Sequence, residues 1–353
     1  MSYFLKLGNK FTVTPKDAMD LHEKLPTGNY TAKFNTITQQ YYLEAVDNFT
    51  HDGKIYGETN KHIERIINTF SLRKNSTGLL LTGEKGSGKT LLAKLLSIEL
   101  AKLDIPTIII NEPHCGEEFN NFMQSIEQPI IILFDEFEKT YNHKEQEQIL
   151  TLLDGVYPTK KLFILTCNNR YALNEYLNNR PGRIFYNIEY RGLSKEFIEQ
   201  YCTDNLLNKA HINSITQLTS IFSQFNFDML KALVEEMNRY NESPHEALEM
   251  LNISPIHSDK IKYSVHLKIM ENGILSEVTA DKQWKGNPLL ERVSIDFTDK
   301  DTLEDCECVF LPTDLKSMTN NNNNLLFIDE EGNELTLTKN EPKQVNYWDL
   351  LAV

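Results

Sequence analysis

Eight consecutive residues, Gly83-Glu84-Lys85-Gly86-Ser87-Gly88-Lys89-Thr90, carry the spacing G-x-x-x-x-G-K-[ST]. Small residues let backbone N–H groups close around phosphate oxygens, and a helix that starts at the end of such a loop turns its positive N-terminus toward them. In that pattern Lys89 reaches the β- and γ-phosphates of a nucleotide and Thr90 offers a hydroxyl to Mg2+. The alternative is a glycine turn that matches by chance. The apolar run Thr77–Thr82 before the loop and the helix formers of Leu91–Leu103 after it argue against chance. Further on, Asp135-Glu136 closes the run Ile130–Phe134. A carboxylate at the end of a buried strand can be held near a metal ion, which suits Asp135. Glu136 then stands where a base could orient or deprotonate water. The other reading of this pair is a helix cap.

These residues need a scaffold, and the hydrophobic pattern supplies one. Thr77–Thr82, Pro106–Asn111, Ile130–Phe134, Leu162–Thr166 and Tyr186–Tyr190 are short apolar runs that predict strands. Helix-length amphipathic segments separate most of them: Glu58–Arg73 before the first, then Leu91–Leu103, Glu117–Glu127 and Lys144–Leu153. Buried runs alternating with helices describe an α/β layer with a parallel sheet. Before it, Phe4–Val13, Tyr30–Phe34 and Tyr41–Val46 read as strands and Pro15–Leu25 as a short helix. Residues 191–252 read as helices over Ser194–Lys209, Ser214–Gln224, Phe227–Tyr240 and Pro244–Leu251, with Ser194 a helix cap. From about Ser254, period-two alternation and the turns Asn272-Gly273, Gly286-Asn287 and Gly332-Asn333 predict a β-rich domain. The tract Asn320–Asn324 reads as a loop.

Composition narrows the classes. The 353 residues allow two or three domains, and no run approaches the apolar length of a membrane span. The first 25 residues lack the pattern of a secretory signal, so the expected location is the cytoplasm. Five cysteines form no disulfide framework; Cys306 and Cys308, two apart, fit core packing better than a metal site. A formal charge of −14, from 50 acidic against 36 basic residues, disfavours nucleic acid and anionic membranes as partners.

The order of these motifs resembles the AAA+ ATPases, and within them the AAA group proper. Asn168, in Leu165-Thr166-Cys167-Asn168, matches that group's sensor 1, which helps position water against the γ-phosphate. Arg180-Pro181-Gly182-Arg183 matches the motif whose arginines reach a neighbouring subunit's nucleotide, and Leu152-Leu153-Asp154-Gly155 resembles a segment found between the two motifs. Ile55, Tyr56 and Gly57 resemble the adenine-contacting stretch, although an ordinary turn would read the same. The likeness covers about 54–252; the flanks resemble, in texture, ATPases of large tailed bacteriophages, which would make the location a host's cytoplasm.

Two departures stand out. His114-Cys115-Gly116-Glu117 is in register with the loop that grips polypeptides in threading members, with histidine where an aromatic hydrocarbon is usual; a solvated loop histidine is the alternative. The lid shows no sensor-2 arginine, and Lys231 is either a substitute or a surface charge.

The resemblance implies an α/β fold: a P-loop NTPase core of the AAA+ type with a parallel sheet, a helical lid and an additional β-rich C-terminal domain. The expected division is an N-terminal adaptor (1–53), ATPase core (54–190), lid (191–253) and β-rich domain (254–353). The cofactors implied are ATP and Mg2+. Gly83 through Thr90, Leu91 and Ile55–Gly57 hold the nucleotide, and Thr90 and Asp135 the metal. Glu136, Asn168, Arg180 and Arg183 carry the chemistry. The function implied is hydrolysis of ATP to ADP and phosphate by a ring, expected to be a hexamer, that remodels or translocates a macromolecule, protein before nucleic acid. The alternatives are a DNA-transaction ATPase and an ATP-binding regulatory scaffold.

Overall fold

A computed structural model of the chain describes residues 2–7, 10–15, 20, 22–154, 160–177, 180–190, 192–219, 222, 225–253, 261–271, 273–288, 291–298, 305–319 and 324–340. Two units divide it, Met1–Gly192 and Leu193–Val353. The first opens with an antiparallel hairpin of β1 (Ser2–Leu7) and β2 (Lys10–Pro15). There follow β3 (Asn29–Asn35), β4 (Gln40–Val46), α1 (Thr59–Leu72), β5 (Thr77–Gly83), α2 (Lys89–Ala101) and β6 (Thr107–Ile110). Then come α3 (Glu117–Ser125), β7 (Ile130–Phe134), α4 (Phe137–Thr140), α5 (His143–Leu153), β8 (Lys161–Cys167) and β9 (Tyr186–Tyr190). Seven strands make one sheet in the order β4-β3-β6-β7-β8-β5-β9, parallel except for the β3–β4 pair at its edge.

The central strands are apolar at almost every position because both of their faces are covered. Leu80, Ile132, Phe134, Phe163 and Leu165 join one core with Phe119 of α3 and Ile149 and Leu153 of α5. Their neighbours Leu79, Leu81, Ile131, Leu133, Leu162 and Ile164 join another with Ile66 and Phe70 of α1 and Leu92 and Leu96 of α2. Asn142 starts α5 with a capping box, its Oδ1 accepting from the N–H groups of Lys144 and Glu145. Since β5, β7 and β8 run parallel, the residues that follow them gather at the C-terminal ends of the strands. Ligands bind outside those ends in open α/β sheets.

Residues 29–46, expected in an adaptor apart from the core, belong to the core's sheet. β3 pairs in parallel with β6, from Asn29 opposite Thr107 to Thr31 opposite Ile109. Buried Ser97 of α2 donates to Asn29 Oδ1 (3.2 Å) and lies 2.7 Å from the Thr107 hydroxyl, tying hairpin, helix and sheet together. The helix expected over Pro15–Leu25 is not formed in its described part: Pro15 ends β2, and 22–25 carry no helix. Leu25 instead exchanges both backbone groups with the side chain of Gln128, at 2.8 and 3.0 Å.

The second unit begins with α6 (Lys195–Asn205), α7 (Ile212–Thr219), α8 (Phe227–Tyr240) and α9 (Pro244–Met250). Ser194 caps α6 through the N–H of Phe197 at 3.2 Å. Nine strands follow among the described residues: β10 (Ile261–Glu271), β11 (Ile274–Glu277), β12 (Thr279–Ala280), β13 (Gln283–Gly286), β14 (Val293–Thr298), β15 (Asp305–Phe310), β16 (Leu315–Thr319), β17 (Asn324–Ile328) and β18 (Glu334–Lys339). They pair antiparallel in two sheets around Tyr263, Leu267, Ile295, Phe310, Phe327 and Leu337. Cys308 is buried in that core, and Cys306 is half-buried on the same strand. Asn272, Gly155 and residues 320–323 of the asparagine tract lie outside the described residues. Among the described residues no helix is long and apolar enough to cross a membrane.

Candidate active site

The loop between β5 and α2 closes on its own lysine. Gly88 caps α2 in the left-handed region, at φ 99°, where a side chain is disfavoured. Gly83 is φ 136°, and a Cβ there would stand 2.4 Å from the carbonyl oxygen of Tyr190. Inside the loop, Lys89 Nζ donates to the carbonyls of Gly83 (2.6 Å) and Glu84 (2.5 Å), with the Ser87 hydroxyl at 3.4 Å. Burial pushes this ammonium below its ordinary range, against the pull of the surrounding carboxylates. Ser87 N donates to Glu84 O at 3.3 Å. Gly86 is again left-handed, and the Lys85 charge bears on Glu136. Leu91, the third residue of α2, packs half-buried into the α1–α2 core.

Asp135 and Glu136 meet this loop from the end of β7. Thr90 Oγ1 donates to Asp135 Oδ1 at 3.3 Å, and Thr166 Oγ1 donates to the same oxygen at 2.6 Å. The Thr166 hydroxyl also accepts the N–H of Glu136 at 2.8 Å. That bond helps hold Glu136 in a left-handed conformation (φ 48°, ψ 50°), which costs a non-glycine residue of order 1 kcal/mol or more. Asn168 Nδ2 donates to Glu136 Oε1 at 3.1 Å, so the expected sensor does reach the expected base. Lys139 Nζ, 2.6 Å from the same oxygen, holds the Glu136 carboxyl below the usual carboxylate range.

Sequence reasoning gave Thr166 no role, although a threonine ending the apolar run of β8 was a signal. Glu138, whose Oε1 accepts the Asn168 N–H at 2.8 Å, was missed altogether.

The two arginines differ. The turn expected from Pro181-Gly182 forms, with Arg183 N and Ile184 N both donating to Arg180 O at 2.9 Å. Arg183 does not project from it: its guanidinium grips Asp154, which caps the C-terminus of α5, through Nε to Oδ1 and NH2 to Oδ2 (2.7 Å), and donates to Tyr176 O at 3.1 Å. Its side chain is only 11% exposed. Arg180 is exposed. The turn lies tight on β5, where a Cβ on Gly78 would stand 1.8 Å from Arg183 O.

Of the adenine stretch, Ile55 packs against the α1–α2 core, Tyr56 O accepts from the Thr59 hydroxyl at 3.3 Å, and Gly57 is φ +67°. His114 is no solvated loop residue, and its ring does not project as a gripping side chain. It is 11% exposed, 3.2 Å from Ala32 O of β3, and edge-on to Tyr41 at 5.2 Å. The edge hairpin thus covers the residue expected to grip. Lys231 is 58% exposed and pairs along α8 with Glu235 at 3.8 Å, a solvated helix charge.

A phosphate loop, a strand-end Asp-Glu pair and a polar residue closing the next strand of a parallel sheet define a nucleotide-hydrolysing P-loop domain. Residues 79–191 match the model of the AAA family, the ATPase family associated with various cellular activities, and the chain carries an AAA ATPase domain.

The chain is similar to an AAA ATPase forming ring-shaped complexes from Corynebacterium jeikeium, 27% identical over 51% of this chain and 43% of that one. It is 30% identical to the peroxisomal ATPase PEX6 of Rattus norvegicus over 37% of this chain and 15% of that one. It is 24% identical to a proteasome-associated ATPase of Streptomyces griseus over 59% and 41%. The chain thus spans less than half the length of each.

Proposed function

We propose that this chain hydrolyses ATP to ADP and phosphate with Mg2+, and uses the cycle, as a ring of six copies, to remodel or translocate a protein. One observation carries the hydrolytic part: Thr90, Asp135, Glu136, Thr166 and Asn168 join in one hydrogen-bonded cluster beyond the ends of three parallel strands, beside the loop into which Lys89 is folded. The donor set suits the cofactors. Mg2+ keeps most of its waters and takes one or two protein oxygens beside those of a phosphate, and the Thr90 hydroxyl and Asp135 carboxylate supply two hard oxygens 3.3 Å apart.

Bound Mg-ATP supplies the phosphoryl group and the metal's neutralising charge. Lys89 keeps a positive charge inside the loop for the phosphate oxygens. Thr166 fixes the Asp135 carboxylate with one bond and the Glu136 backbone with the other. Glu136 takes the water proton at its carboxylate, oriented by the Asn168 amide. Arg180 serves the neighbouring copy. The name of the Corynebacterium relative supports a ring, and that of the Streptomyces relative supports protein as the substrate class. Residues 191–253 would act as the lid and 254–353 as a partner-facing domain, working in the cytoplasm.

Assembly is tested by sedimentation of Glu136→Gln with saturating ATP. Ligand bound at an interface favours the associated state, so a species near six copies of the 40.9 kDa chain is expected. A monomer at micromolar concentration contradicts the ring. Turnover raised by unfolded protein supports the substrate class, and turnover raised only by single-stranded DNA replaces it with the DNA-transaction reading.

A further inference from the structure

The site holds a third carboxylate, Glu138 in α4, two residues past Glu136. Its Oε1 accepts the Asn168 N–H, and the buried Cys167 thiol is the carboxylate's other close polar neighbour. Asn168 follows the last residue of β8 and has left that strand's ladder. Its backbone N–H is satisfied by Glu138, while its side-chain amide holds Glu136 at 3.1 Å. The two bonds and the chain from 136 to 138 form a closed ring that fixes the Glu136 carboxylate against the end of β8.

We infer that Glu138 is a positioning residue for hydrolysis: by anchoring the Asn168 backbone it fixes the amide that orients Glu136. This rests on Glu136 acting on the attacking water. Glutamine at 138 keeps an acceptor for the Asn168 N–H and removes the charge, whereas alanine removes both.

The test measures kcat and ATP Kd on the full chain with Mg-ATP for wild type, Glu138→Ala, Glu138→Gln, Asn168→Ala and the double Glu138→Ala/Asn168→Ala. Glu138→Ala should lower kcat about 10- to 100-fold, the scale of a misplaced catalytic group. Its ATP Kd should stay near that of wild type, which also shows that the loop is folded. Glu138→Gln should recover most of the rate. The double variant should be no slower than Asn168→Ala, because residues that act as one unit are not additive. A wild-type kcat in Glu138→Ala, a glutamine variant as slow as alanine, or additive losses in the double variant would overturn the inference. These outcomes leave the hydrolytic reading standing. A wild-type chain that binds ATP without turnover overturns both.

Discussion

Arg180→Ala is expected to lower the ATPase rate by 10³-fold or more, the range over which an arginine placed on a transferring phosphoryl group acts. The guanidinium is always charged and offers a planar fork of donors, which suits charge building on phosphate oxygens. Arg180 is exposed at the corner of its turn, free to meet a second copy. Arg183→Ala should act differently, because Arg183 is spent within its own chain on Asp154 and Tyr176 O. Removing it unfastens the turn from the end of α5, and Asp154→Asn, which weakens the same pair, should reproduce part of the loss. Arg180→Ala has no such mimic.

Mixing identifies the subunit served. Chains with Arg180→Ala and chains with Lys89→Ala are each nearly inactive, yet their mixed rings should recover part of the rate, since some interfaces pair an intact loop with a neighbour's intact arginine. Demonstrably mixed rings without recovery, or a fully active Arg180→Ala chain, would remove Arg180 from the active site.

The second large effect is on binding. Lys89→Ala should weaken ATP binding by about 2–5 kcal/mol, roughly thirtyfold or more, the scale for removing one partner of a buried charge-assisted pair. Lys89 is 5% exposed and already directed into the loop, so little rearrangement stands between it and a phosphate. Binding measured by calorimetry should fall while the thermal unfolding temperature without nucleotide changes little. Unaltered affinity would mean that the loop does not hold the phosphates.

Legibility in the sequence followed the distance between partners. Gly83–Thr90 is eight adjacent residues, and phosphate binding is written in their backbone, so no partner elsewhere had to be known. The strands of the sheet's interior were legible because cover on both faces makes each an unbroken apolar run.

What stayed hidden was set by register or by side chains far apart in the chain. Thr166 reaches Asp135 because β7 and β8 pair with Phe134 opposite Leu165, which puts the next residues of the two strands side by side. Glu138 is defined by its bond to a residue 30 positions on, and Arg183 by one 29 positions back. The edge hairpin reads as separate in the sequence because nothing in Tyr30–Phe34 announces a parallel partner 78 residues away. His114 was in register with a gripping loop, but sequence carries no sign of which way a ring turns. Here it turns toward Tyr41 and Phe119.

On the proposed reading, Glu136 acts on the water that attacks bound ATP. The most direct measurement is phosphate release from Mg-ATP by wild type and Glu136→Gln, with ATP binding measured on the same preparations. Turnover is expected in wild type, with a similar ATP affinity in both and a rate about 10²-fold lower in Glu136→Gln, the scale of losing a general base. A wild-type rate in Glu136→Gln, or a wild-type chain that binds Mg-ATP and releases no phosphate, would contradict it.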